Sequence, residues 1–222
     1  MITGFFGVPR VGKNTILTMI AQRELALMKK GKSKYKHIYT DFYCKGCEKF
    51  KYSDFRKYKA YNSLFLIEEM GLNADGRKFK DFSVEERNWF ALHGHVECDI
   101  IYATHDYSDV DKKIRDKTEE LWYLTKSCVP FLRNFTVATR IFRTIAINEY
   151  TSELINGYRF STTLEKIFSR VRMIVYRPTW YKYFDSHSEE ELAKRPVMYS
   201  LNWDDIIASL NDIEKGEGLV TN

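Results

Sequence analysis

Gly7-Val8-Pro9-Arg10-Val11-Gly12-Lys13 matches the pattern G-x-x-x-x-G-K and decides the fold of this chain. The apolar run Ile2–Phe6 precedes it, and with Gly7 and Pro9 behind it predicts a buried strand ending in a turn. From Lys13 onward Ile16, Leu17, Ile20, Ala21, Leu25 and Met28 recur at steps of three and four, which predicts a helix closed by Gly31. Strand, glycine loop and helix together form the setting in which such a loop cradles phosphate. Gly7 and Gly12 admit backbone angles that expose successive N–H groups, and the helix contributes its positive N-terminal end. Lys13 supplies a point charge for β- and γ-phosphates. The candidate ATP-binding residues are therefore Gly7, Val8, Pro9, Arg10, Val11, Gly12, Lys13, Asn14 and Thr15. After the lysine this pattern carries Ser or Thr, whose hydroxyl holds Mg²⁺; here Asn14 stands there, and its amide oxygen or the Thr15 hydroxyl is the substitute ligand. The competing reading is a glycine turn beside a surface lysine.

The second signal is Leu64-Phe65-Leu66-Ile67-Glu68-Glu69, four apolar residues ending in two acids. A buried parallel strand delivers its C-terminal residues to the ligand edge of the sheet. Glu68 is the candidate for the metal's hydration shell, with Asn14 and Thr15. Glu69 is the candidate general base that deprotonates an attacking water. A third apolar strand, Asp99-Ile100-Ile101-Tyr102-Ala103-Thr104, runs into His105, a candidate sensor of the γ-phosphate if its strand lies between the other two. Ser108 and Asp111 resemble caps of a helix ending near Thr118. That helix would carry Arg115, a candidate arginine for a neighbouring subunit's γ-phosphate, or else an ion-pair partner of Asp111 or Asp116.

The remaining pattern is an alternation of strands and helices, with strands expected at 35–43, 62–67, 98–103 and 121–124, a polar loop at 71–81, and a helix opened by Ser83-x-x-Glu86. This predicts an α/β three-layer sandwich on a mainly parallel sheet, residues 1–128, followed by a small α+β appendage, residues 129–222. In the appendage Phe135–Ile147 reads as a strand, 158–160 as its hairpin partner, Arg172–Tyr176 as another strand, and 189–194 and 203–210 as short helices.

Composition sets the outer bounds. At 44% hydrophobic and 15% aromatic residues, the chain is too apolar to be disordered. It has no run of about 18–20 apolar residues that could form a spanning helix, and no export signal is read at its start. Its four cysteines suit reduced thiols in a cytoplasm rather than a disulfide scaffold. Cys44-Lys45-Gly46-Cys47 has zinc-ligand spacing, with His93, His95 and Cys98 as the clustered candidates to complete a site; the other reading is a turn with two free thiols. The net charge of +5 is uneven: residues 29–59 hold eleven basic residues against three acidic ones, a local +8 interleaved with aromatics. That stretch suits a polyphosphate or an anionic membrane surface, or is simply a solvated face.

These residues together resemble the N-terminal domain family of zonular occludens toxin (Zot), which includes assembly ATPases of filamentous phages and is related to motors of the FtsK and HerA type. The resemblance is carried by the loop 7–13, Leu64 to Glu69, Phe90-x-x-His93-Gly94-His95, the strand 99–103, and Asp109-Val110-Asp111-Lys112-Lys113-Ile114-Arg115-Asp116, the most specific of these. It covers residues 1–125 and extends into Tyr176-Arg177-Pro178 and Tyr183-Phe184-Asp185. It implies a P-loop NTPase sheet of the additional-strand class, with the His105 strand between the loop strand and the Glu68 strand. It also implies use of ATP and Mg²⁺ in virion extrusion or DNA transfer, by a homo-oligomer acting on phage coat or assembly proteins or single-stranded DNA. The implied place is the cytoplasm of a bacterial host, with peripheral contact at the inner membrane. Position 105 in that family is more often Gln. Two other functions fit the same residues: a small-molecule or nucleoside kinase, and a nucleotide-binding scaffold without turnover.

Overall fold

The computed structural model describes residues 1–50, 61–73, 90, 93–127, 132–147, 154–162, 164–165 and 171–184. All of these lie in one compact unit, Met1–Ser186; a second unit, His187–Asn222, lies outside the described residues, as do the expected helices at 189–194 and 203–210 and the capping box at Ser83 and Glu86.

Strand β1 (Ile2–Phe6) leads through the glycine loop into α1 (Lys13–Lys29). Strands β2 (His37–Thr40), β3 (Glu48–Lys49) and β4 (Ser63–Ile67) follow, then a helical turn α2 (Met70–Asn73), strand β5 (Asp99–Thr104), helix α3 (Lys112–Lys117) and strand β6 (Glu120–Lys126). The chain continues with β7 (Phe135–Ile147), β8 (Leu154–Phe160) and β9 (Arg172–Tyr176). The nine strands among the described residues join one sheet, in the order β3-β2-β4-β5-β1-β6-β7-β8, with β9 also on β7. The first six strands pair parallel and the last three antiparallel. As the family resemblance implies, and as the spacing alone left open, β5 lies between β4 and β1.

Every residue of β4 and β5 is buried, because both faces of a parallel sheet are covered. Alternation along each strand divides the core into two halves. Leu64, Leu66, Ile101 and Ala103 pack with Phe5 and the buried side of α1. Phe65, Ile67, Ile100 and Tyr102 pack on the opposite face with Val110 and Ile114. Gly4 is fixed by this packing: it stands beside Tyr102 in the β1–β5 register, and a Cβ there would lie 2.7 Å from the phenol oxygen, which is itself hydrogen-bonded to Thr118 Oγ1.

Several expected elements are adjusted. The strand at 35–43 is confined to His37–Thr40, and residues 71–73 belong to the turn α2 rather than to a loop. The helix expected from Ser108 starts at Lys112. Asp106 accepts from both the backbone N–H and the hydroxyl of Ser108, closing a 3₁₀ turn, Tyr107–Asp109. Asp111 then caps α3 by accepting from Lys113 N–H.

Strand β7 matters most for the site. Its residues 136–141 pair with β6, while its far edge takes β9 at residues 135–139 and β8 at residues 141–147. β9 therefore ends at Tyr176 opposite Phe135, and the residues after it arrive beside the glycine loop.

Candidate functional site

The loop between β1 and α1 contains two residues with positive φ, Arg10 (63°) and Gly12 (102°). Gly12 is the N-cap of α1 and makes no side-chain capping bond, so the N-cap residue itself does not compete with a ligand for the first-turn N–H groups. Gly7 is required for a different reason than the freedom of φ expected from the sequence. It lies outside the left-handed region, but a Cβ on it would stand 2.6 Å from the Leu124 carbonyl oxygen of β6. Val8, Pro9 and Arg10 form the exposed crest, while Val11 is buried in the core.

The loop is clamped from the far part of the chain. Thr136 Oγ1 on β7 donates to the Val11 carbonyl. The Arg177 guanidinium donates to the Arg10 carbonyl (3.4 Å), the Arg133 carbonyl (2.6 Å) and the Asn134 carbonyl (3.4 Å). A Cβ on Gly12 would meet both clamps.

Lys13 is only 5% exposed and points back over its own loop, donating to the Gly7 carbonyl at 3.2 Å. Its ammonium also lies 2.6 Å from His105 Nδ1 and 3.7 Å from Glu69 Oε1. Burial lowers the Lys13 pKa below its ordinary value, and the charges of Glu69 and Glu68 offset part of that. His105 Nε2 lies 2.9 Å from Glu69 Oε1, which closes a Lys13–His105–Glu69 triangle. Glu69 reaches it because its backbone is left-handed, φ 54°, immediately beyond β4. Asn14 donates through its amide nitrogen to Glu68 Oε1, and Asp41 at the end of β2 accepts from Glu68 N–H at 2.7 Å. Both carboxylates thus sit on the same sheet edge as Lys13.

These groups line a cavity of about 600 Å³, together with Arg10, Gly12, Thr15, Arg177, Tyr181 and Phe184. The oxygens of Glu68, Asn14 and Thr15 are the hard donors that Mg²⁺ accepts, and in kind they fit it; in this structure Asn14 turns its N–H₂ toward Glu68.

Arg115 does not line this cavity. Its guanidinium lies over the Tyr107 ring, 5.8 Å from the centroid, and its buried Nε has no hydrogen-bond partner among the described residues. Cys44 and Cys47 lie in the turn after β2. The Cys47 thiol donates to Cys44, holding the Cys44 pKa down and pushing its own up. Among the described residues no cluster of three or more His, Cys, Asp or Glu is arranged to hold a metal, and no helix is long and apolar enough to cross a membrane. In the basic stretch, Lys34 is spent on Asp99, whose carboxylate also accepts from Tyr35. Residues 51–59 of that stretch lie outside the described residues.

The sequence reading gave Asp41, Thr136 and Tyr181 no part in the site, and met Arg177 and Phe184 only as residues of the family resemblance. The Trp180-Tyr181-Lys182-Tyr183-Phe184 aromatic run was a further signal in that segment.

A mainly parallel α/β sheet with the β5 strand inserted between β1 and β4, and a glycine loop opening α1, is the fold of a P-loop NTPase. The family profile for zonular occludens toxin (Zot) matches residues 17–189, and the chain belongs to that family. The match begins inside α1, just past the loop. The crystal structure of the N-terminal domain of zonular occludens toxin from Neisseria meningitidis is similar in fold, with TM-score 0.51 and 12% identity, covering 83% of this chain and 98% of that one. The genome packaging NTPase B204 of Sulfolobus turreted icosahedral virus 2, solved with ATP-gammaS, aligns with TM-score 0.42 and 9% identity over 70% of this chain and 96% of that one. No curated protein sequence matches the chain.

Proposed function

We propose that this chain is a Mg²⁺-dependent ATPase that self-assembles and works in phage morphogenesis, by virion extrusion or DNA movement. The observation that carries the chemistry is the triangle of Lys13, His105 and Glu69 at the mouth of the glycine loop. Three residues from the ends of three different elements meet where a triphosphate on the loop would place its γ-phosphate. The family resemblance supports the biological setting; partners, host compartment and contact with the inner membrane belong to this proposal.

The residues take the following roles. The loop and the N-terminus of α1 bind phosphate oxygens. Lys13 exchanges its present acceptors, the Gly7 carbonyl and His105, for phosphate and neutralises the transferring group. Glu69 orients water and takes its proton. His105 donates to Glu69 and accepts from Lys13, so a change at the phosphate reaches the base through one imidazole. Glu68, Asn14 and Thr15 are the residues that would hold Mg²⁺, which supplies charge neutralisation at the phosphates when bound. Arg115, outside its own cavity, is assigned to a neighbouring subunit's site.

Phosphate release from ATP and Mg²⁺ tests the reading, comparing wild type with Glu69→Gln and Lys13→Ala. Glu69→Gln is expected to bind ATP and turn over at least about 10²-fold more slowly. Equal release from wild type and Glu69→Gln would sink the assignment of the base. The Asn14–Glu68 hydrogen bond favours a second reading, a nucleotide-gated scaffold. It predicts tight ATP binding with no turnover at any protein concentration.

A further inference from the structure

We propose that Tyr181 and Phe184 are the platform on which the base of a nucleoside triphosphate stacks, so that one cavity holds the phosphates on the glycine loop and the base on the segment after β9. This rests on the nucleotide-binding reading above and adds to it a base subsite built from a distant part of the chain.

The cavity, at about 600 Å³, falls within the roughly 300–1,000 Å³ of sites that enclose an organic ligand of this size. Its lining is divided in character. Lys13 and the loop make a portion suited to phosphates, bordered by His105 and by the Glu68 and Glu69 carboxylates that the proposed function gives to the metal and the water. Among the described lining residues Tyr181 and Phe184 are the two with aromatic carbocycles. Their rings meet edge to face, with centroids 6.1 Å apart and planes at 71°. Tyr181 is 48% exposed, so a large part of its ring is open to a ligand. A flat aromatic surface beside an anion-binding cradle matches the two halves of a nucleotide, an apolar planar base and a polyanion.

The platform is held in place before any ligand arrives. Arg177 N–H donates to the Asn134 carbonyl at 3.0 Å, which starts the segment at the loop. Trp180 packs against the core on the α1 side of the sheet. Lys45 N–H donates to the Tyr183 carbonyl at 2.8 Å, and Phe184 forms an antiparallel bridge with Cys44. Two separate anchors, just before β7 and on the turn after β2, flank Tyr181. A segment whose backbone is fixed this way loses little further backbone entropy when its rings stack on a ligand.

Stacking reads the face of a base and not its edge, so the platform accepts adenine and guanine alike. Three of the five N–H groups of the Arg177 guanidinium donate to backbone carbonyls, which holds its plane against the loop.

Titration calorimetry in Mg²⁺ with ATP, GTP and inorganic tripolyphosphate tests the proposal on wild type, Tyr181→Ala, Tyr181→Phe and Phe184→Leu. The leucine keeps bulk at the Cys44 bridge while removing the ring. Tyr181→Ala is expected to weaken ATP and GTP by about tenfold each, and to leave tripolyphosphate unchanged. Tyr181→Phe should stay within about twofold of wild type, and Phe184→Leu should fall between the two. Unchanged ATP affinity in both Tyr181→Ala and Phe184→Leu would overturn the platform, as would an equal loss for tripolyphosphate. Wild type binding tripolyphosphate as tightly as ATP would also overturn it, yet leave the phosphate loop standing. Wild type binding none of the three would overturn the loop as well.

Discussion

Nδ1 of His105 lies 2.6 Å from the Lys13 ammonium, and Nε2 of the same ring lies 2.9 Å from Glu69 Oε1. An ammonium has only protons to offer, and a carboxylate only lone pairs. The ring therefore accepts at Nδ1 and donates from Nε2–H, which is the neutral ε tautomer. This order, acceptor toward Lys13 and donor toward Glu69, is what a glutamine amide can also provide. His105→Gln is expected to keep ATPase activity within a few-fold. His105→Ala should lose about tenfold or more in kcat, part of the roughly 10²–10⁴-fold a positioned general base supplies. Steady-state kinetics check this; equal rates for the Ala and Gln variants would remove His105 from the chemistry.

The buried position of Lys13 gives binding and stability opposite responses to alkaline pH. Its pKa lies below the usual 10.5 in the free protein, chiefly through burial. A bound triphosphate favours the ammonium and raises that value. Between the free and bound values, binding takes up a proton, so ATP affinity falls as pH rises through that window. The unfolded chain binds its proton up to the ordinary value. Stability of the free protein therefore rises with pH from the lowered pKa toward 10.5, the penalty being fully present below it. Calorimetry of ATP binding in buffers of different ionisation heat should register proton uptake on the alkaline side, and Lys13→Met should abolish it.

Among the described residues the Thr136 hydroxyl donates to the Val11 carbonyl, inside the protein. Thr136→Val keeps the shape and leaves that carbonyl without its donor, at a cost of about 1–3 kcal/mol. For a chain of this size the melting temperature should drop by roughly 2–4 °C for each kcal/mol. Because Val11 belongs to the loop, ATP affinity should fall as well, and Thr136→Ser should restore both. Thermal melts and titrations on the two variants check it. A valine variant that melts like wild type would exclude the clamp.

Gly7 and Gly12 should fail in different ways when replaced by Ala. At Gly12 the added methyl meets the Thr136 hydroxyl and the Arg177 side chain, and the φ of 102° adds roughly 1–2 kcal/mol of backbone strain. Part of this clash is with side chains, so Gly12→Ala combined with Arg177→Ala should recover some stability. At Gly7 the methyl meets the backbone carbonyl of Leu124, which no side-chain change relieves. Denaturant unfolding of the two single variants and of each paired with Arg177→Ala should show recovery for Gly12→Ala alone.

The local half of the site was readable from the sequence because its signals are local. G-x-x-x-x-G-K sits between an apolar run and a helical repeat, and the apolar run 64–67 ends directly in Glu68 and Glu69. A buried strand carries its last residues to the sheet edge wherever that strand lies, so the carboxylates could be assigned before their neighbours were known. Strands β7 and β9 were also legible as periodic segments. Less legible was the start of α3, where Ser108 and Asp111 compete as caps: Asp106 takes Ser108 into a turn, and Asp111 alone is left to start the helix.

The amino-acid sequence on its own determined the phosphate-type loop, the acidic strand end and the α/β class, each written in short-range spacing. Only tertiary structure decided that β5 stands between β1 and β4, which places His105 between Lys13 and Glu69. Only it decided that β7 is long enough to seat both β8 and β9 on one edge, bringing Thr136 and Arg177 onto a loop 125 and 167 residues away and Tyr181 and Phe184 into its cavity. The reason is physical: turns and helices are set by neighbours a few residues apart, whereas which strand edges meet is chosen by burying both faces of the whole sheet at once.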